Sequence, residues 1–435
     1  MSDVAIGYSG IALLLILIAL RFPIGISLIG VSFAGIYLII GERPAWGALG
    51  IIPWNFTATW QLSSVPMFLL MGFLCFHAGL TRGLFNAARL WLSWLPGGIA
   101  VSAIFGAAGF AAVTGSSVAC AAAMGRIAVP EMMRNNYDTA FATGTVAAAG
   151  TIGALIPPSI LLILYGIIAQ VPVGALFMGG VGAGILTAVG YVAVVIVRAM
   201  INPSLAPRSH IESTTAERFA ALLEVWPVIL LMAGVLGGLF FGIFTPTEAG
   251  AVGSALALLI ALFKRSIDRK GLWNSLVETL QTSAALFVIA IGANMLTRFI
   301  AVSGAGRDLA TFINAMDASP LLLIIGISVL YLVLGMFLEP IGAMLLTLPI
   351  LLPILNAGNI ELLWFGIILA KFLEIGMISP PIGLNVFVIK SVVGDAVSIG
   401  RIFKGVIWFL LSDLVIIVLL IAFPGIITWL PSLMR

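Results

Sequence analysis

Gly150-Thr151-Ile152-Gly153-Ala154-Leu155-Ile156-Pro157-Pro158-Ser159 interrupts one apolar run, and Glu374-Ile375-Gly376-Met377-Ile378-Ser379-Pro380-Pro381 interrupts another in the same way. A proline pair removes two amide donors and leaves carbonyls of the preceding turn unpaired. Hydrocarbon tolerates such a break only where protein or a cavity surrounds it. The composition places both breaks in hydrocarbon. Of 435 residues, 62% are hydrophobic and 9% charged, with mean hydropathy +1.22, whereas a soluble domain carries about 25% charged residues. A soluble enzyme is excluded. At about 20 residues per helical span, the chain is expected to be an all-α polytopic membrane protein, its length allowing roughly ten to twelve spans.

Two further apolar runs, about 98–129 and 320–356, are too long for one span and carry a polar or Gly/Pro break near the middle. They predict re-entrant helical hairpins, turning at Val113-Thr114-Gly115-Ser116-Ser117-Val118 and at Gly335-Met336-Phe337-Leu338-Glu339-Pro340. The broken helices fall at about 140–169 and 361–392. The chain also repeats: Pro23 returns as Pro246, Pro130 as Pro353, Pro157 as Pro380, Pro158 as Pro381 and Gly153 as Gly376, each 223 residues on. Gly79-x-x-Arg82-x-Leu84 is echoed by Gly304-x-x-Arg307-x-Leu309. Residues 1–215 and 216–435 therefore read as two repeats, each with scaffold helices, an arm, a hairpin and a broken helix.

With re-entrant hairpins each repeat crosses the bilayer five times, so the second copy is inverted. Placing the N-terminus outside puts fifteen cations on the cytoplasmic side: Arg21, Arg82, Arg89, Arg126, Arg134, Arg198, Arg208, Arg218, Lys264, Arg265, Arg269, Lys270, Lys390, Arg401 and Lys404. Four, Arg43, Arg298, Arg307 and Arg435, remain outside, and Lys371 falls within a span.

Inverted repeats with paired discontinuous helices point to a secondary transporter with its site near the midplane. Each hairpin tip is expected to meet the broken helix of its own half. Carbonyls freed there, with nearby hydroxyls, suit a hard cation such as sodium, and the two-fold repetition predicts two ion sites. Blander readings stand beside this one. Gly115-Ser116-Ser117 could be close helix packing, and Thr114 and Thr151 could bond carbonyls of their own helices. Lys371 and Glu374, three residues apart on one helical face, could form a structural ion pair or serve transport, and Glu339 is a further intramembrane carboxylate. Arg126 is expected to snorkel toward the interface. His77 is expected to pack near a span end.

Other classes find little support. Cys75 and Cys120 lie in apolar runs and read as small hydrophobes. Two histidines, His77 and His210, make a multi-histidine metal centre unlikely by count alone, and a net charge of +3 without a basic tract gives nucleic-acid binding no support. The N-terminus lacks the basic region of a secretory signal, so its first apolar run reads as a retained span. Ser116 or Ser117 as an intramembrane nucleophile lacks a base at suitable spacing. No Gly-x-x-x-x-Gly-Lys-[Ser/Thr] loop is present, so the energy is expected from an ion gradient or a partner.

Thr114-Gly115-Ser116-Ser117-Val118-Ala119, Met124-Gly125-Arg126-Ile127-Ala128-Val129-Pro130-Glu131-Met132 and the 150–159 stretch resemble the large membrane subunit, DctM type, of tripartite ATP-independent periplasmic (TRAP) transporters. So do Gly335-x-x-x-Glu339-Pro340, Pro349-Ile350-Leu351-Leu352-Pro353 and Glu374 through Asn385. The resemblance implies an elevator-type fold in a bacterial inner membrane, with a fixed scaffold and a mobile transport domain containing both hairpins. It implies sodium-driven uptake of a small organic anion delivered by a periplasmic substrate-binding protein of DctP type. A small membrane subunit of DctQ type completes the scaffold, and since the chain starts at the first span of the large subunit it is expected as a separate polypeptide. Carried over by motif, a first Na+ site would use Gly115, Ser116, Ser117, Gly153, Ile156 and Pro157. A second would use Gly335, Gly376, Ser379 and Ile382, with Ser379 standing where the family often has Thr. Thr114, Ser116, Arg126, Ser159 and Asn385 are the candidates for substrate binding. The rival reading within transport is a divalent-anion/sodium symporter of similar fold that needs no binding protein; an intramembrane hydrolase and a passive channel are the alternatives outside it.

Overall fold

The computed structural model describes residues 2–207, 214–315 and 320–434; Arg208, His210 and Arg435 of the sequence reading lie outside them. Every regular element among the described residues is helical. The first half runs α1 (Asp3–Ala19), α2 (Ile24–Ile40), α3 (Glu42–Thr57), α4 (Ser64–His77), α5 (Arg82–Leu92), α6 (Gly98–Thr114), α7 (Ser117–Arg134), α8 (Thr139–Gly150), α9 (Ile160–Ala169) and α10 (Val173–Ile201). The second runs α11 (Thr215–Glu224), α12 (Trp226–Met232), α13 (Gly238–Phe240), α14 (Pro246–Phe263), α15 (Arg269–Ser303), α16 (Ala305–Ala315), α17 (Pro320–Phe337), α18 (Pro340–Ala357), α19 (Leu362–Gly376), α20 (Leu384–Val393), α21 (Ile399–Ala422) and α22 (Gly425–Ser432).

The order of elements repeats from α2 and α14 onward. Each half then has an eleven-residue amphipathic helix (α5, α16), a two-armed hairpin (α6–α7, α17–α18), a helix broken at its proline pair (α8–α9, α19–α20) and a long helix (α10, α21). Packing follows the same pairing. α2 lies along α15 while α14 lies along α4; α8 lies against α21 while α10 contacts α19. The outer arm of each hairpin packs on the far half of the opposite broken helix, α7 on α20 and α18 on α9.

Breaks fall where the chain chemistry puts them. Gly115 ends α6 with a left-handed φ of +61°, a conformation that costs a residue with a Cβ about 1–2 kcal/mol. Ser116, Asp138, Ser159 and Glu339 then cap α7, α8, α9 and α18, each side-chain oxygen accepting an amide of the new first turn. Both proline pairs contain a cis peptide bond, Pro157-Pro158 and Pro380-Pro381. The hairpins and broken helices form the interior: every residue of α19 from Trp364 to Gly376 is buried, as is nearly all of α6. The periphery is apolar and open, with Leu38, Ile185, Val189, Leu259, Phe263, Leu414 and Val418 exposed. An apolar exterior around a partly polar interior is the arrangement expected of a bilayer protein.

Several boundaries differ from the sequence expectation. The run at 225–244 is not a regular α-helix throughout: a π turn at Ala233–Gly237 joins α12 to α13, and the stretch Trp226–Phe240 is bent by 43° from the preceding Thr215–Glu224 at the break around Val225. α15 is 35 residues long, reaching well before the apolar run at 282–300, because Asp268 caps it and Lys270 and Glu278 lie on its first turns. By length and composition six described helices could each cross a bilayer, seven with that bent pair.

Backbones touch where glycines face each other. A Cβ on Gly405 of α21 would strike the Ala140 carbonyl of α8, and one on Gly144 would strike Gly405, whereas Gly400 on the same helix meets nothing within 4 Å. Gly405→Ala is expected to destabilise the protein by about 1–3 kcal/mol, with Gly400→Ala near neutral, as read by thermal melting in detergent.

Candidate functional site

The first hairpin tip and the first break are in backbone contact. A Cβ on Gly115 would run into the Pro158 carbonyl, and one on Gly153 would lie 3.0 Å from the carbonyl carbon and oxygen of Ser116 and the Cα of Ser117. Gly115, Ser116, Ser117 and Gly153 thus converge. Ile156 and Pro157 follow in the break itself, where the Ile156 side chain fills the space left by Gly184 on α10. In the second half Gly335 sits within α17, three residues before the tip, with α19 pressed on it: Gly376 Cα lies 3.2 Å and the Leu373 carbonyl oxygen 3.1 Å from where its Cβ would be. Ser379 donates its hydroxyl hydrogen to the Ile375 carbonyl at 2.8 Å, leaving its oxygen lone pairs uncommitted. Ile382 lies half-buried in the loop before Gly383, a loop closed by the Asn385 amide donating to the Met377 carbonyl at 2.9 Å.

A cavity of about 430 Å³ opens at the first tip, within the ordinary range for a small-molecule site; of the residues implied for sodium, Gly115, Ser116 and Ser117 line it and the other seven lie outside its lining. Its lining combines Thr114 through Ala119 and Arg126 of the first hairpin with Glu339, Pro340 and Ile341 at the second tip, Glu374 and Met377 at the second break, and Leu69, Gly72, Phe73 and Phe76 of α4 with Glu278 and Thr282 of α15. Of the residues the resemblance implies for substrate, Thr114, Ser116 and Arg126 line this space, Arg126 with its side chain exposed. Ser159 and Asn385 are buried outside it. Ser159 accepts the Leu162 amide as the cap of α9, and Asn385 reaches the Ala147 carbonyl at 3.4 Å while its own side-chain oxygen finds no partner. Thr114 bonds the Phe110 carbonyl of its own helix at 3.0 Å, and Thr151 bonds that of Ala148 at 2.7 Å.

The intramembrane charges pair differently from the sequence expectation. Lys371 does not bond Glu374. Its ammonium donates to Asp413 of α21 at 2.6 Å, both residues 0% exposed. The Tyr191 hydroxyl donates to the other Asp413 oxygen at 2.9 Å and lies 3.0 Å from the Thr151 hydroxyl. One buried network thereby ties the first break to the helix leading into the second. Glu374 instead accepts the Ser117 hydroxyl at 2.6 Å. Glu339 receives the Gly342 amide at 3.0 Å as the cap of α18, and His77 meets Glu278 at 3.2 Å near the end of α4. Asp413 went unremarked in the sequence, although a lone acid inside a 24-residue apolar helix is itself a signal.

The profile described as "Tripartite ATP-independent periplasmic transporter, DctM component" matches residues 11–426. The chain belongs to the TRAP transporter large-permease family. It is 32% identical over 376 residues to the C4-dicarboxylate TRAP transporter large permease protein DctM of Pseudomonas aeruginosa, covering 86% of each chain. It is 31% identical over 415 residues to the sialic acid TRAP transporter large permease protein SiaM of Vibrio cholerae, covering 94% of this chain and 95% of that one. The crystal structure of the Alcanivorax borkumensis YdaH transporter shares the fold, with TM-score 0.61 over 88% of this chain and 89% of that one at 15% identity. These relatives are transporter permeases rather than enzymes, and this TRAP permease is a multi-pass membrane protein.

Removing one member of a buried ion pair strands the other, at a cost of about 3–5 kcal/mol, whereas replacing both with apolar residues is often neutral. Lys371→Met and Asp413→Leu are each expected to lower thermal stability strongly, and the double variant to recover most of the loss.

Proposed function

We propose that this TRAP permease is the large transmembrane subunit of a sodium-coupled importer for a carboxylate-bearing small organic anion, delivered by a periplasmic binding protein and moved by an elevator mechanism. The observation that carries this reading is the meeting of the first hairpin tip with the first break beneath a cavity that also presents Arg126. Freed carbonyls and hydroxyls there would offer a cation several oxygens, and the Arg126 guanidinium elsewhere in the cavity lining would offer an anion a counter-charge. Relatives of nearly equal identity bear names citing C4-dicarboxylate, sialic acid and isethionate, which are chemically distinct acids, and this supports an organic anion as cargo without singling one out.

Sodium would be a substrate here, held at Gly115, Ser116, Ser117, Gly153, Ile156 and Pro157 in the first half, and at Gly335, Gly376, Ser379 and Ile382 in the second. Both sets lie on hairpin–break contacts, so an ion bound there would order tip and break together. Two sodium ions with a monoanion carry one net charge, which at about 100 mV is worth about 2.3 kcal/mol, roughly a fifty-fold accumulation. In an elevator, the two hairpins and broken helices would travel as one interior block against α2, α4, α14 and α15. A small membrane subunit of DctQ type would complete the fixed side, and a bacterial inner membrane is the setting that fits a periplasmic delivery protein.

In proteoliposomes holding the assembled transporter, uptake from a panel of radiolabelled carboxylates is expected to require both sodium and the binding protein. Uptake unchanged when choline replaces sodium would refute the coupling, and uptake unchanged without the binding protein would favour a self-sufficient symporter. Ser379→Ala is expected to raise the sodium concentration for half-maximal uptake several-fold with little change in melting temperature, because one hydroxyl oxygen is lost from the second set; superimposable sodium curves would remove Ser379 from it.

A further inference from the structure

Lys371, one turn before Glu374 on α19, is committed to Asp413. Glu374 keeps a single side-chain hydrogen bond among the described residues, from the Ser117 hydroxyl 257 positions away in sequence. It is 1% exposed, and it lies in the cavity lining with two further carboxylates, Glu339 and Glu278, and one cation, Arg126. A buried carboxylate without a bonded cation is costly, and one lining a space for an anion also repels the cargo. Both costs fall if cations sit beside it. The two proposed sodium sets flank it: Ser117 touches its carboxylate, and Gly376 follows two residues later, its backbone pressed against Gly335. Ser117 belongs to the first half and Glu374 to the second, so this one hydrogen bond links the first set to the helix that carries Gly376 of the second.

We infer that Glu374 is a positioning residue shared by both sodium sites. Its carboxylate takes the Ser117 hydroxyl hydrogen and so turns that oxygen's lone pairs toward the first site, while its negative charge favours a cation at either. The inference rests on the sodium reading above and extends it to a side chain that belongs to neither ligand set.

The test is thermal melting of the purified full chain in detergent, titrated with sodium chloride against choline chloride at constant ionic strength. The parent is expected to be stabilised by sodium. Glu374→Gln keeps the shape and an acceptor for Ser117 but removes the charge, and it is expected to raise the sodium midpoint about tenfold or more. Its melting temperature without sodium should equal or exceed the parent's, because no uncompensated charge remains to be buried. A merely structural role predicts the opposite pair of results, a lower sodium-free melting temperature with the midpoint unmoved, and that outcome overturns the inference. An unchanged midpoint at unchanged stability overturns it too, while leaving the sodium reading intact. A parent indifferent to sodium defeats both readings together. If Glu374→Gln cannot be purified, Glu374→Asp serves: the charge stays but retreats from Ser117, so a midpoint several-fold above the parent's supports the inference and a parental midpoint overturns it.

Discussion

A carbonyl or amide that loses its helical partner inside a bilayer finds no water to replace it, and this permease contains four such places, two hairpin tips and two proline breaks. At three of them the new amides are met by a side chain. Side-chain caps from Ser116, Ser159 and Glu339 take the first amides of α7, α9 and α18. Glycines remove the side chains that would otherwise hold the segments apart, so the tip at Gly115 reaches the Pro158 carbonyl and Gly335 reaches Gly376. The interior is organised around these contacts, and the long apolar helices surround them.

Charge inside the bundle obeys the same economy. Lys371 and Asp413 are fully buried and each is the other's partner, with Tyr191 supplying a second donor to the carboxylate and its ring 5.3 Å from the ammonium. A low-dielectric interior makes a satisfied network rigid and a half-satisfied one expensive. Because Thr151 joins through Tyr191, the network spans from the first break across α10 and α21 to α19. The two halves are thus bound together by polar bonds at the depth where their helices are interrupted, in addition to the apolar packing of α7 on α20 and α18 on α9.

The sequence announced the breaks because prolines, glycines and capping hydroxyls act on their own backbone, and local effects are readable from local text. Hairpins at 98–129 and 320–356, the proline-broken helices and the order of elements were all legible for that reason. The partner of Lys371 was not. Spacing along one helix suggested Glu374, yet Asp413 lies on another helix, and which helices touch is decided by packing that no spacing records. Ser159 and Asn385 show a related limit: both stand in motif stretches, but Ser159 spends its side chain capping a helix and Asn385 turns into the core. The bend around Val225 has Pro227 beside it and was legible in principle, whereas the π turn at 233–237 left no proline in the text, and the N-terminal extension of α15 is polar enough to hide from a search for apolar runs.

The two proline pairs share a sequence pattern and a cis bond but not a depth. Pro157 and Pro158 are buried, whereas Pro380 and Pro381 are exposed. Copies of one motif in a symmetric oligomer must share their surroundings; copies within one chain are free of that obligation. A carrier that admits its cargo from one side at a time needs such freedom, since perfect equivalence of its halves would open both faces or neither.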